Sequence, residues 1–372
     1  MNSEFMDALN TLEKEKGIQK EVIIEAIEAA LISGYKRNFN QVQNVRVDVN
    51  RDTGTIRVFA RKTVVEEVFD ARLEIALHEA RKLNPSYEVD DVVEIEVTPK
   101  DFGRIAAQTA KQVVTQRVRE AERNIIYADF IDREEDIMTG IVQRQDHRFI
   151  YVDLGKVEAL LPLSEQMPNE SYKHNDRIKA FITKVEKTTK GPQILISRTH
   201  PGLLKRLFEL EVPEIYDGTV EIKSVSREAG DRSKIAVHAD NAEVDPVGAC
   251  VGPRGQRVQT IVNELKGEKI DIVQWSEDPV EYVANALSPS KVLMVKVKEE
   301  EKMTQVIVPD YQLSLAIGKR GQNARLAAKL TGWKIDIKSE SDARELGLLE
   351  DPDFVMVQEI DDSISVDLRD QD

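Results

Sequence analysis

An internal repeat in the second half of the chain constrains the fold most, because each copy carries a short glycine loop. The first copy holds Gly-Pro-Arg-Gly at 252–255, and the second holds Gly-Lys-Arg-Gly at 318–321, an offset of 66 residues. A helix-ending glycine follows each loop, and a Lys-Ile-Asp-Ile run then begins at Lys269 in one copy and at Lys334 in the other. Each copy therefore predicts the order strand, helix, glycine loop, helix, strand.

The chemistry of the two loops suits a phosphate group. Two glycines separated by two residues let the backbone turn sharply and approach a ligand closely. The next helix starts at once, so its free N–H groups and the positive end of its dipole face the loop. Basic side chains lie between the glycines and in the first helical turn. The predicted phosphate-binding residues are Gly252, Pro253, Arg254, Gly255, Gln256, Arg257, Gly318, Lys319, Arg320, Gly321, Gln322 and Arg325.

Apolar residues beside the loops predict a shallow groove for unstacked bases. They are Val251 and Ile317 before the loops and Val258 and Leu326 after them. This combination resembles KH domains, which hold about four nucleotides of a single strand. One such loop alone is as readily a surface turn, but two copies in one frame favour the KH interpretation. A Walker A phosphate loop is excluded, because 318–320 lacks its glycine spacing and its hydroxyl residue.

The first 130 residues predict an α+β domain with a long connector helix. Apolar positions recur at helical spacing near the N-terminus, and alternating runs flank a turn signal at 52–54. The predicted elements are a helix over 1–37, a hairpin of strands at 45–49 and 56–58, a helix over 71–83, a strand over 92–97 and a polar helix over 101–128.

Short β segments punctuated by glycine and proline predict a small β-barrel over 134–200. The predicted strands are 137–143, 149–154, 178–184 and 193–197, and about five strands are expected in all. Arg148, Phe149 and Tyr151 form the candidate RNA-binding platform, with Lys184 and Arg198 as basic neighbours. Strand alternation places both rings on one face, which leaves open the alternative that they belong to the core.

The distribution of charge decides how the net charge of −15 is interpreted. Residues 339–372 contain 12 acids and 2 bases, a net of −10, whereas 218–338 contain 18 bases and 17 acids, a net of +1. The acidity is therefore concentrated at the C-terminus, and the net negative charge does not oppose RNA binding by the repeat.

We predict a first KH domain at 218–288, a second at 289–349 and an acidic tail at 350–372.

Composition also limits the chemistry. The single cysteine, Cys250, excludes an intramolecular disulfide and fits a reducing cytoplasm, where it is expected to be a small buried apolar residue. The five histidines have no metal-ligand spacing, so neither a metal site nor a cofactor is predicted. Trp275 and Trp333 are expected to pack in the core or between domains, with base stacking as the alternative. No signal peptide or membrane span is evident, and a cytoplasmic protein is expected.

The whole chain resembles the NusA family of bacterial transcription elongation and termination factors. The resemblance covers residues 1 to about 349 and rests on motifs that occur in the family's order. These are Phe5 to Leu9, Glu25 to Leu31, Ala106 to Lys111, Val152 to Gly155 with Glu158 to Pro162, and the two glycine loops.

The resemblance implies a partner for each part of the chain. The N-terminal domain would dock on RNA polymerase at the β-subunit flap near the RNA exit channel. The barrel would be an OB-type (S1) fold. The barrel and the KH domains would bind nascent single-stranded RNA, and other Nus factors are further expected partners. Such factors modulate pausing, termination and antitermination, and a non-enzymatic monomer is expected.

The chain departs from the family pattern in its barrel. Pro162 replaces a histidine found in many S1 barrels, which favours weak RNA binding there. Some members continue with acidic helical repeats, whose functions are not expected here.

Two alternatives are left open at this point. KH and S1 modules also occur in ribonucleases such as polynucleotide phosphorylase, although there the KH domain precedes the barrel and large phosphorolytic domains come first. KH modules also occur in ribosome-associated and assembly proteins. Phosphate- or Mg²⁺-dependent cleavage of labelled RNA would indicate the former, and co-purification with ribosomal subunits rather than polymerase would indicate the latter.

Overall fold

A computed structural model describes residues 3–39, 44–99 and 102–357 of the chain. They form two compact units. The first comprises the N-terminal region to Ala128 together with Thr189–Pro192, and the second comprises Asp129–Thr188 and the chain from Gln193 onward.

The N-terminal unit combines helices with a four-stranded sheet. Its elements are α1 (Ser3–Lys16), α2 (Lys20–Phe39), β1 (Val45–Val49), β2 (Ile56–Val65), β3 (Glu74–Ala76), α3 (Leu77–Leu83), β4 (Val92–Glu96) and α4 (Phe102–Ile131). Strand β2 pairs antiparallel with β1 and β4 and parallel with β3. The apolar stripe of α2, including Ile23, Ile27 and Leu31, is buried against β1 and the first turns of α4.

Two of the helix predictions in this unit are wrong in part. The single helix predicted over 1–37 is two helices, because the chain turns at Gly17, where φ is +67°. The helix predicted over 71–83 begins only at Leu77, and β3 precedes it. The hairpin, the strand from Val92 and the long helix are confirmed.

The barrel contains β5 (Ile137–Gln145), β6 (Phe149–Asp153), β7 (Glu158–Pro162), β8 (Arg177–Thr188) and β9 (Gly191–Ser197). The strands follow the order β5, β6, β7, β9, β8, and β8 also pairs with β5. Ile150 and Val152 of β6 point inward with Leu161, Ile182 and Ile194. The predicted strand list lacked β7, which is five residues long and ends in a proline.

The first KH domain contains α5 (Pro201–Glu211), α6 (Pro213–Tyr216), β10 (Glu221–Glu228), β11 (Arg232–His238), α7 (Pro246–Val251), α8 (Gln256–Glu264) and β12 (Lys269–Gln274). Strand β11 lies between antiparallel β10 and parallel β12. Leu203, Leu207 and Phe208 of α5 share one core with Ile235 of β11 and Ile261 of α8. The predicted start at 218 therefore omitted two helices that belong to this core.

The second KH domain repeats the plan with α9 (Pro279–Ala286), β13 (Met294–Lys298), β14 (Met303–Val308), α10 (Leu313–Ile317), α11 (Gln322–Thr331), β15 (Lys334–Ser339), α12 (Glu340–Glu345) and β16 (Val355–Met356). The predicted order of strand, helix, loop, helix and strand is confirmed in both copies.

Both predicted limits of the second KH domain need correction. Tyr282 and Val283 of α9 pack in its core, so the boundary placed after 288 comes too late. Strand β16 pairs with β13, and Phe354 is buried against Ala343, so 350–357 belong to the domain instead of the acidic tail. The rest of the predicted tail, 358–372, lies outside the described residues.

Candidate nucleic-acid interface

The two glycine loops adopt the same backbone conformation. In the first loop φ is +72° at Gly252, +55° at Arg254 and +73° at Gly255. The corresponding angles in the second loop are +75°, +54° and +72°. Three positive φ values in four residues produce a tight turn that only a glycine-rich sequence adopts readily.

The first glycine of each loop is also required sterically. A Cβ atom on Gly252 would lie 2.6 Å from Cγ of Arg257, and one on Gly318 would lie 2.8 Å from Cβ of Asn323. A Cβ atom on Gly255 or Gly321 would meet nothing within 4 Å. The first glycine therefore allows close packing onto the next helix, whereas the second supplies only the left-handed turn.

Helices α8 and α11 start directly after the loops, and no described side chain caps either N-terminus. The N–H groups of Gln256 and Gln322, the first of each helix, donate to the backbone oxygens of Pro253 and Lys319, and the positive end of each helix dipole lies beside the loop. Arg254, Lys319 and Arg320 are exposed, and within the described part of the chain their side chains have no hydrogen-bond or ion-pair partner. Each loop therefore places free positive charge beside the positive end of a helix dipole, and both features favour a bound anion.

Arg257 has a different position from the one predicted. Its Nη1 atom donates to Oε2 of Glu214 at 2.9 Å and to the backbone oxygen of Ala249 at 2.6 Å. These contacts tie α8 to α6 and α7, with the Arg257 side chain packed under Gly252. The residue supports the first loop, while its neighbours Pro253 and Gln256 are exposed.

Gln322 and Arg325 face the first KH domain. The Gln322 amide donates to Glu228 at 2.9 Å and to Asp231 at 2.7 Å. Nε of Arg325 donates to the other oxygen of Glu228 at 2.6 Å. The first turn of α11 is thus bonded to the β10–β11 turn, and the second loop is held at a defined position relative to the first domain.

The predicted apolar groove is wrong for three of its four residues. Val251, Val258 and Leu326 are buried in the core, and Ile317 alone is 38% exposed. Two further apolar residues before the second loop are exposed and were not predicted, namely Leu315 at 41% and Tyr311 at 81% exposure. Tyr311 occupies the repeat position of Asp245, and comparison of the two copies at that position could have identified it.

The aromatic residues of the barrel lie on its outer face. Phe149 and Tyr151 alternate with buried Ile150 and Val152, and their ring centroids are 6.5 Å apart. The guanidinium of Arg148 lies 5.7 Å from the Phe149 ring centroid. The alternative that either ring belongs to the core is therefore wrong, and both rings are half-buried on the predicted face.

The charges around this platform are mixed. The guanidinium of Arg144, which the sequence analysis missed, lies 3.3 Å from the Tyr151 ring centroid and pairs with Glu158 at 3.1 Å. The Tyr151 hydroxyl donates to Asp146. Backbone N–H groups of Arg148 and Phe149 lower the pKa of Asp146 to about 2, so the carboxylate stays charged. This negative charge beside the rings opposes RNA phosphate.

The two other basic residues named for the barrel are engaged elsewhere. Lys184 is paired with Glu186. The Arg198 side chain is only 2% exposed and is paired with Glu170 and Glu264. The prediction that Arg198 supports the platform is wrong.

Models of known protein families match almost the whole chain in the same order. They are the NusA N-terminal domain at residues 4–124, the S1 RNA binding domain at 131–197, the NusA-like first KH domain at 198–275 and the NusA-like second KH domain at 279–345. The NusA protein of Halalkalibacterium halodurans is 91% identical over 351 residues, which cover 94% of this chain and 92% of that protein. The chain belongs to the NusA family.

More distant NusA proteins match over a similar length. The Bacillus subtilis protein is 81% identical over 94% of each chain, and the Thermus thermophilus protein is 45% identical over 90% of this chain and 89% of its own. All three relatives are named transcription termination/antitermination proteins. The predicted fold class is confirmed: this NusA-family chain has an N-terminal α+β domain, an S1 domain and two KH domains.

The tryptophans of this NusA-family chain pack between elements of the KH pair. Trp275 and Trp333 are half-buried against the second KH core, and Trp275 contacts the rings of His238 and Tyr282. Packing, the expected role, is confirmed for both.

Cys250 is buried, as predicted, and burial raises the pKa of its thiol to about 12. Among the described helices none is long and apolar enough to span a membrane.

Proposed function

We propose that this NusA-family chain modulates transcriptional pausing, termination and antitermination by binding RNA polymerase and nascent RNA together. The N-terminal domain binds the polymerase at the β flap near the RNA exit channel. The KH loops, assisted weakly by the barrel, bind the emerging single strand. The names of the close relatives and the matched RNA-binding domains support this proposal.

One observation carries the RNA-binding part of the proposal. Two loops 66 residues apart share one strained backbone conformation, and both present cations that have no partner among the described residues beside the N-terminal end of a helix. Arg254, Lys319 and Arg320 contact phosphates directly, and the loop glycines let the RNA backbone approach. Arg257, Gln322 and Arg325 hold the loops in place from behind.

The test replaces the three free cations. A variant with Arg254→Gln, Lys319→Gln and Arg320→Gln should stay folded, because all three side chains are exposed and unpaired among the described residues. For a single strand, the slope of log K against log salt falls by roughly 0.7 per lost phosphate contact, so a reduction of about 2 is expected. Titrating a labelled single-stranded RNA at several salt concentrations measures the slope.

The matched control removes the same charge from the N-terminal unit. Lys82→Gln, Arg104→Gln and Lys111→Gln are likewise exposed positions. This control should leave the slope unchanged. If both triple variants reduced the slope equally, binding would depend on overall charge and the assignment of the loops would be wrong.

The same proposal describes a monomeric, non-enzymatic factor that works in the cytoplasm beside the polymerase and other Nus factors. Labelled RNA incubated with the chain and phosphate or Mg²⁺ should therefore remain intact. Steady cleavage would indicate an enzyme instead.

A further inference from the structure

The loop between β2 and β3 in the N-terminal unit displays an aromatic side chain to solvent. Phe69 is 89% exposed and the adjacent Val68 is 41% exposed. An exposed phenylalanine of this degree leaves a large apolar area in water, which is unfavourable unless a partner covers it.

The loop is held in a defined conformation by its own hydrogen bonds. The N–H groups of Phe69 and Asp70 donate to one carboxylate oxygen of Glu74 at 2.7 and 3.1 Å. The Arg72 guanidinium donates to both oxygens of Asp70 at 2.9 and 2.8 Å. Nζ of Lys62 donates to the backbone oxygen of Ala71 at 2.5 Å. The aromatic ring is therefore presented on a preorganised turn, which reduces the entropy lost on binding.

The charge around the ring identifies the kind of partner. Residues 66–74 contain four acids, Glu66, Glu67, Asp70 and Glu74, and one base, Arg72, a net of −3. This base is already bonded to Asp70, and Lys62, which donates to Ala71 from β2, adds one positive charge, so the net charge around the ring is −2. Hydrogen bonds from the Arg72 side chain and backbone lower the pKa of Asp70 to about 2, so its charge persists at neutral pH. Negative charge repels RNA phosphate and acidic lipid, and it favours a protein surface with basic side chains.

We propose that Phe69 is an anchor that inserts into an apolar cleft bordered by lysine and arginine side chains on RNA polymerase. The inference rests on the proposed function, since that proposal makes the polymerase the partner of this domain. Phe69 and Val68 fill the cleft, and Glu66 and Glu67 pair with its basic rim. Aromatic anchors surrounded by complementary charge are typical of residues that dominate binding energy.

The experiment compares full-length variants for binding to core bacterial RNA polymerase. Phe69→Ala should weaken the affinity at least tenfold without loss of folding, because the ring makes few contacts within the chain. Tyr216→Ala is the matched control, since this aromatic residue is 83% exposed on α6 in the second unit.

A second variant tests the acidic residues beside the ring. Glu66→Gln with Glu67→Gln should lower the association rate severalfold and make that rate less dependent on salt concentration.

Each outcome has a separate meaning. Loss of polymerase binding by Phe69→Ala alone, with RNA affinity unchanged, supports the anchor. Equal affinity of Phe69→Ala and the parent chain overturns it, while the polymerase role stands. A parent chain that fails to bind polymerase overturns the proposed role itself. Reduced RNA affinity in Phe69→Ala would instead make the ring an RNA contact and overturn the inference.

Discussion

At the scale of single residues, the two glycines of one loop have different physical roles. Gly252 has φ of +72° and ψ of 175°, a region that only glycine populates, and a Cβ there would collide with Arg257. That arginine cannot move freely, because Glu214 and the Ala249 carbonyl hold it. Gly255 has a left-handed conformation with open space around it.

We therefore expect Gly252→Ala to be more destabilising than Gly255→Ala. The first should lower the free energy of unfolding by about 2–3 kcal/mol, and the second by about 1 kcal/mol. Urea unfolding followed by tryptophan fluorescence measures both, since the two tryptophans, Trp275 and Trp333, lie in the KH pair. Equal losses would show that the loop conformation alone sets the requirement for glycine.

The loops could be predicted from sequence because their spacing is local and repeated. The partners of the neighbouring side chains could not. Arg257 meets Glu214, which is 43 residues away, and Arg325 meets Glu228, which is 97 residues away. The first pair arises when the first KH domain folds and the second when the two KH domains pack, so a basic residue beside a glycine loop does not by itself indicate a phosphate contact.

At the scale of elements, Glu228 at the end of β10 links the first KH domain to helix α11 of the second. One of its oxygens accepts from Arg325 and the other from Gln322. Glu228→Gln should lower the free energy of unfolding by roughly 0.5–1 kcal/mol, because Arg325 is half-exposed and solvent weakens the pair. Glu277→Gln, an exposed glutamate within the same domain pair, is the matched control and should cost almost nothing.

The contribution of Glu228 should also depend on pH. The hydrogen bond from Arg325, opposed by burial and supported by Gln322, lowers the pKa of Glu228 below its ordinary 4.5. A carboxylate whose pKa is lower in the folded state stabilises fully above its unfolded pKa and loses this effect on acidification. The difference between the parent chain and Glu228→Gln should stay constant above about pH 5 and shrink below pH 4.5. A difference independent of pH would indicate packing instead.

Elements with strong local periodicity were predictable, and those that depend on packing were not. Helix α4 and the hairpin of β1 and β2 follow from their patterns. Strand β7 was missed in the strand list because five residues ending at Pro162 carry little periodic signal. Helix α9 was placed in the wrong domain because its apolar face does not reveal which of two adjacent cores it joins.

At the scale of the whole molecule, the second unit is held together across the S1 and KH domains by buried charge. The Arg198 guanidinium, at the end of the barrel, donates to the backbone oxygens of Lys179 in the barrel and Glu264 in α8, at 2.6 and 3.0 Å. It also pairs with Glu170, whose side chain is 4% exposed. A second buried pair, Arg227 with Glu268, reaches the backbone oxygen of His200. Arg198 is therefore a structural link, and barrel and first KH domain should unfold together.

Removing Arg198 should uncouple these two domains. Arg198→Met leaves Glu170 as an uncompensated buried charge, which typically costs about 3–5 kcal/mol. Adding Glu170→Gln removes that charge, so the double variant should recover part of the loss. Arg344→Met is the control, because its pair with Glu340 is exposed and i,i+4 pairs contribute only about 0.3–0.5 kcal/mol.

Hydrogen exchange followed peptide by peptide should show β6 and β12 opening together in the parent chain and separately in Arg198→Met. If both strands still opened together in that variant, the apolar contacts of α5 would be sufficient to couple the domains.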